Sequence, residues 1–235
     1  MTWGEGPFLA FDIETTGTDP WDDRIVTASL VELGAGSKLN VQSWLLNPGV
    51  PIPADAEAIH GISTAQASRS GAAPAQALEE ITSKLAVWLG ALKPVVVFVA
   101  PFDLTMLEVE NERHGVVTLV ERLGEIRPVI DPFVLDKEKD TYRRGQRTLS
   151  ALADQYGVAL DDAHSSAADA VATALLVPRI TEEFPELIEY SLDALHDAQQ
   201  LWRGEQQLSL ADYFERQGNL DAVRSMKFGW PIYSR

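Results

Sequence analysis

The first 46 residues carry three strand-patterned segments and no helix-patterned one, and this most constrains the fold. Residues 7–16 contain Phe8, Leu9, Ala10, Phe11 and Ile13, an apolar run that predicts a buried strand. Residues 27–33 and 39–46 show the alternating, β-branched pattern of two more, with Gly34-Ala35-Gly36-Ser37 as the turn between them. These segments predict an antiparallel three-strand start, which Asn47-Pro48-Gly49 then breaks.

The pattern then changes. Over 74–89, Leu78, Ile81, Leu85 and Trp88 recur at three- and four-residue steps, one face of an amphipathic helix. Val95 to Val99 is a continuous apolar run, predicting a strand buried on both faces. Residues 102–114 read as a helix with Leu104, Met106 and Leu107 inward. Val129-Ile130 reads as a short strand, 149–156 as a helix ended by Gly157, and 166–177 as a small-residue helix able to pack closely on a sheet. Strands followed by strands alternating with helices predict an α/β layer fold with a mixed sheet. After Pro178 the chain reads as helices, with Phe184, Leu187, Ile188, Leu192, Leu195, Leu201 and Trp202 as core candidates. The apolar end, Phe228-Gly229-Trp230-Pro231-Ile232, is expected to dock back on the domain. The expected organisation is a domain over 1–178 and a helical C-terminal extension over 179–235.

With 235 residues, 46 % hydrophobic and 23 % charged, the chain can bury one large core and is too apolar for wholesale disorder. No apolar run approaches the ~18 residues needed to span a bilayer, and MTWGEGP lacks the start of a signal peptide. The absence of cysteine excludes disulfides, thiolate chemistry and Cys-ligated zinc. A cytosolic protein with no membrane partner is the expectation. The formal net charge of −16 argues against tight, non-specific duplex binding, because phosphate contacts require cations. It is compatible with an enzyme that grips a strand end through bound divalent metals.

Four carboxylates and a histidine in three separated segments carry the chemistry. Asp12 and Glu14, two apart on a strand, project from one face while Ile13 points to the other. Paired acids there repel each other unless protonated or bound to metal. Gly17 after them allows close backbone approach. Asp103 follows the apolar run at the start of a helix, where open α/β sheets place ligand sites. His164 and Asp169 are five apart, so they share a spot only if His164 lies in the loop and the helix begins near Ser166. Each has an ordinary structural explanation: surface strand acids, a helix-start acid favoured by the dipole, and a capping box of Ser166 and Asp169.

Together, FDIETTG, then APFDLTML, then His164 and Asp169 in HSSAAD resemble the DEDDh (DnaQ-like) 3′–5′ exonucleases, as does AIHGIS at 58–63. The resemblance covers roughly residues 7–178. It implies a ribonuclease H-like fold, a mixed five-stranded sheet flanked by helices with the carboxylates clustered at one end. It implies that Asp12, Glu14, Asp103 and Asp169 hold two divalent metal ions, Mg²⁺ or Mn²⁺, and that His164 is the general base. It implies single-stranded DNA or RNA 3′ ends as substrate, nucleoside 5′-monophosphates as product, and Thr15, Ile62 and Phe102 as contacts to the terminal nucleotide. A polymerase or repair complex is the kind of partner such a domain serves. The C-terminal helices are free to cover the sheet, touch substrate or form a homodimer.

One position departs from the family pattern: Val99 stands where members commonly have Asn before Ala-Pro-Phe-Asp. With the negative charge, it motivates the alternative of a catalytically weakened binding module that keeps the fold; a small-nucleotide phosphodiesterase is another. Arg143, Arg144 and Arg147, near Lys137 and Lys139, form the main basic patch, either a guide for the phosphate backbone or a solvated loop. His60 and His114 read as surface or structural residues, and the six tryptophans mostly as core.

Overall fold

The computed structural model describes residues 3–34, 38–160 and 164–234. The three early strands form as expected: β1 (Phe8–Thr15), β2 (Ile25–Leu33) and β3 (Leu39–Leu45). Most of the predicted 34–37 turn lies outside the described residues. Two short strands, β4 (Val95–Val96) and β5 (Val129–Ile130), complete a five-stranded sheet of order β3-β2-β1-β4-β5. The β1–β2 and β2–β3 pairs are antiparallel, and β1–β4 and β4–β5 are parallel, so the sheet is mixed.

β1 is buried on both faces, and its two side-chain sets face different cores. Leu9, Phe11 and Ile13 pack with Ile81, Leu85 and Leu104. Phe8 and Ala10 pack with Ala170, Leu176 and Val177. Strand alternation places Asp12 and Glu14 in the second set. Helix α3 (Pro74–Gly90) covers the first face, and helix α8 (Ser166–Glu183) covers the second. Helices α1 (Ala54–His60) and α2 (Thr64–Ser70) lie between β3 and α3, in a stretch to which sequence pattern assigns no element.

The predicted strand over 95–99 is shorter than expected. Val97 N–H still donates to the Ile130 carbonyl at 3.0 Å, but Val99 turns into the left-handed region at φ 58°. Helix α4 (Ala100–His114) therefore starts two residues earlier than the predicted 102. Asp131 makes this turn possible: its carboxylate accepts from Val99 N–H and Ala100 N–H, each at 3.0 Å. A short α5 (Leu119–Leu123) follows, and Asp131 also caps α6 (Pro132–Lys139), accepting from Phe133 N–H.

After α7 (Leu149–Gln155), α8 runs on through Pro178 to Glu183, past the predicted end at 177. The 178/179 divide thus falls inside one helix. Helix α9 (Leu192–Arg216) then closes the sheet's edge at β5. His196 Nδ1 accepts from Val129 N–H at 3.1 Å, Gln199 Oε1 from Asp131 N–H at 2.7 Å, and Gln199 Nε2 donates to the Val129 carbonyl at 2.9 Å. These side chains supply partners that another strand would supply, so the edge cannot template pairing. Leu187 and Leu195 are core as expected, whereas Leu201 is 70 % exposed, on the outer side of α9. After α10 (Leu220–Ser225) the apolar end docks as expected: Trp230 is buried in the first core, and Tyr233 N–H donates to Thr105 Oγ1 at 2.8 Å. Of the tryptophans only Trp230 is fully buried; the other five are half-buried. Among the described residues, no helix is long and apolar enough to cross a membrane.

Candidate metal site

Three of the predicted carboxylates converge. Asp12, Glu14 and Asp169 each offer an oxygen, all within 4.8 Å of one another, a group able to hold a metal ion. Strand alternation explains the first two. Asp169 arrives from across the sheet, and a chain of hydroxyls fixes how it does so. Cross-strand partners of Asp12 and Glu14 are Ser29 and Thr27. Both contact the buried Ser166 Oγ, at 2.8 Å and 3.1 Å, and Ser29 also meets Ser43 at 2.9 Å. Ser166 opens α8, and Asp169 lies three residues on, on the same helix face. The predicted capping box is therefore not how Ser166 is used: Ser165 is the N-cap residue, with no side-chain cap bond, and the Ser166 hydroxyl is turned to the sheet.

Asp103 lies outside that trio but within reach of its charge. β1 pairs with β4 only at Leu9 and Ala10, so the Ile13 N–H is left for another acceptor. Asp103, almost fully buried in the first turn of α4, takes it. Burial pushes its carboxyl up, against the lowering effect of its own and the Ile13 backbone bonds; Asp131 and Glu14 add repulsion. Asp12 is raised well above the usual carboxylate range by burial, then by Asp103, Asp169 and Glu14. Glu14 is raised to about 7 by burial and then by Asp169. Every charge acting on Asp12 is another carboxylate. Such a set resists full ionisation in water, and hard oxygen donors suit a hard divalent cation. The residues present therefore fit a metal ion.

His164 is exposed, lies one residue before the Ser165 N-cap of α8, and has a left-handed backbone at φ 71°. It is not among the converging oxygens. Thr15 ends β1, its hydroxyl donating to the Gly17 carbonyl at 2.6 Å. Gly17 is required where it stands, because a Cβ there would lie 2.5 Å from Asp23 Oδ2. That carboxylate is held by Thr16 Oγ1 and Asp19 N–H, both at 2.9 Å. Phe102 is half-buried against the first core, and Ile62 is half-buried beside Ile52 and Ala56.

The structure corrects one reading and adds one residue. Arg143 and Arg147 do not point outward as a phosphate guide: each places a nitrogen 2.8 Å from an oxygen of the fully buried Asp136, and Tyr156 Oη donates to the same carboxylate at 2.9 Å. Only Arg144 of that cluster stays exposed. His60 is structural, one of the two expected readings: it is half-buried beside the Thr15 backbone, its Nδ1 accepts from Ile62 N–H at 3.1 Å, and burial lowers its pKa. Asp131 was not anticipated at all, although Asp131-Pro132 after a two-residue strand is a helix-start signal. It braces the backbone of Val99 directly, whatever side chain stands there.

Residues 9–177 match the family model RNase_T, described as exonuclease. The chain is 32 % identical over 173 residues to a DNA polymerase III subunit epsilon-like protein of Rhodobacter capsulatus, covering 71 % of this chain and 22 % of that one. It is 29 % identical over 175 residues to a PolC-type DNA polymerase III of Streptococcus thermophilus, covering 74 % and 11 %. The chain thus spans well under a quarter of these relatives. Among solved structures, E. coli Exonuclease I in complex with a dA16 oligonucleotide superposes with a TM-score of 0.67 at 19 % identity, over 78 % of this chain and 42 % of that one. Exonuclease X in complex with 5′ overhanging duplex DNA superposes at 0.57 and 19 %, over 82 % and 99 %. These likenesses show the ribonuclease H-like fold, and the profile match together with the Rhodobacter relative shows that the chain belongs to the RNase_T exonuclease family of DnaQ-like domains.

Proposed function

We propose that this chain is a metal-dependent 3′–5′ exonuclease that removes nucleoside 5′-monophosphates from single-stranded ends. The observation that carries the reading is the convergence of Asp12, Glu14 and Asp169 within 4.8 Å in a member of an exonuclease family. Asp12, Glu14, Asp103 and Asp169 would hold two Mg²⁺ or Mn²⁺ ions. Such ions stabilise the charge on the attacking and leaving oxygens of an in-line displacement at phosphorus. His164, on its exposed turn, would take the proton of the attacking water, a role suited to imidazole near neutral pH. Thr15, Ile62 and Phe102 would contact the terminal nucleotide, and Asp131 would keep Asp103 in register.

The names of the relatives support a polymerase complex as the setting, and the oligonucleotide bound to Exonuclease I supports single strands as substrate. In this reading residues 1–178 are the catalytic domain of a cytosolic enzyme, and 179–235 an extension packed on it. The deciding experiment follows labelled single-stranded DNA, RNA and dinucleotides with Mg²⁺ or Mn²⁺. Mononucleotides released stepwise from the 3′ end are expected; internal cuts, or no release with either metal, would overturn the reading. His164→Ala should slow release about a hundredfold and flatten the pH profile near neutrality, and an unchanged profile would remove the general-base role.

A further inference from the structure

Of the basic patch, Arg143 and Arg147 are taken up by Asp136, which leaves few cations to hold a phosphate in a chain of net charge −16. Two cations from different helices converge on one ring. Lys137 Nζ of α6 lies 5.7 Å, and Arg203 Cζ of α9 5.1 Å, from the centroid of Phe133. Both are half-buried, as is Phe133. Neither forms an ion pair among the described residues. The Arg203 Nε is buried with no hydrogen-bond partner. Like charge accumulates there: burial lowers the Lys137 amine, and Arg203 and Arg147 lower it further.

An internal explanation for Arg203 is compensation of the buried Asp131. The Arg203 charge does lower the Asp131 carboxyl against the effect of burial, yet the Asp131 oxygens already accept from Val99, Ala100, Phe133 and Trp230, and no ion pair joins them to Arg203 among the described residues. The place also borders the carboxylates. Phe133 follows Asp131, the brace of the Asp103 turn, and meets the Phe98 ring edge-on at 6.0 Å. The Tyr233 phenol lies within reach of both the Arg203 and the Asp103 charges.

We infer that Lys137 and Arg203 form a binding site for a backbone phosphate of the single strand, beside the carboxylates, with Phe133 as its apolar floor. The inference rests on the exonuclease reading. A phosphate there would relieve the repulsion between the two cations and pair with the guanidinium, a charge-assisted interaction. It also gives α9, which closes the sheet edge, a part in substrate binding.

The test is fluorescence anisotropy of labelled oligothymidylate and oligouridylate of about eight nucleotides, with Ca²⁺ present, across a salt series. Lys137→Gln and Arg203→Gln should each weaken binding about three- to tenfold and flatten the slope of log affinity against log salt by about 0.7. Arg203→Lys should keep most of the slope while losing part of the affinity. The cleavage rate on a dinucleotide, whose single phosphodiester is the scissile one, should fall less than that on the longer strand. Binding by the unaltered chain with variants of equal affinity and slope would overturn this site alone, as would an equal loss on dinucleotide and longer strand. An unaltered chain that neither binds nor cleaves any strand would overturn the site together with the exonuclease reading.

Discussion

Asp136 is fully buried and Asp12, Glu14 and Asp169 are half-buried, and the chain surrounds the two sites in opposite ways. Asp136 is fully buried and receives two arginines and a tyrosine hydroxyl, so its charge is matched from within. The strand acids receive each other, and Asp12 and Glu14 are raised by burial and mutual repulsion. The contrast teaches that burial of a carboxylate is no mark of function. The mark is convergence on other carboxylates, whose mutual repulsion an external cation can relieve.

Substitution should separate the two sites. Asp12→Ala should cut metal-dependent mononucleotide release about a thousandfold or more, on the scale of several kcal/mol of transition-state stabilisation, while leaving the fold intact. Retained release in a labelled-strand assay would remove Asp12 from the site. Asp136→Ala should do the reverse, costing about 3 kcal/mol in denaturant unfolding because two partly buried guanidinium groups lose the carboxylate they share. A loss confined to activity would show that Asp136 belongs to the site after all.

A smaller effect joins metal and pH. Carboxyls raised in the folded state bind protons more tightly than in the unfolded chain. Their contribution to metal-free stability is therefore full below the ordinary carboxylate range and is lost as pH rises through about 7, the value for Glu14. Divalent metal reverses this by displacing protons and stabilising by mass action. The rise in Tm on adding Mn²⁺ should be small near pH 5 and grow toward pH 8. A pH-independent rise would sever the link between these acids and the metal. The smallest effect concerns the hydroxyl chain. Ser166→Ala should cost about 1–2 kcal/mol in stability and weaken Mn²⁺ binding several-fold, since α8 loses its tie to Thr27 and Ser29 one turn before Asp169. Unchanged Mn²⁺ affinity in a thermal titration would show that helix packing alone sets Asp169.

Much of the layered fold could be read from local pattern. The alternation in 7–16 and the apolar run at Val95 report burial directly, because strand side chains face a core at period two. The strand ends were less legible: the run to Val99 is uniformly apolar, yet the ladder stops at Val96, because Asp131, 32 residues on, takes the Val99 N–H. The same distance dependence hid the fate of the arginines, since nothing near Arg143 and Arg147 in sequence says that Asp136 will be buried between them and Tyr156.

By itself, the sequence singled out the candidate groups, because two carboxylates at strand spacing, a helix-start acid and a His-Asp pair are local facts. Tertiary structure decided which of them meet. Asp169 reaches Asp12 and Glu14 only because small residues let α8 lie close on the sheet and Ser166 finds the β2 hydroxyls. It also decided that α9 would both seal β5 and bring Arg203 beside Lys137. Charge and hydrogen-bond partners far apart in the chain are chosen by packing, and no periodicity encodes them.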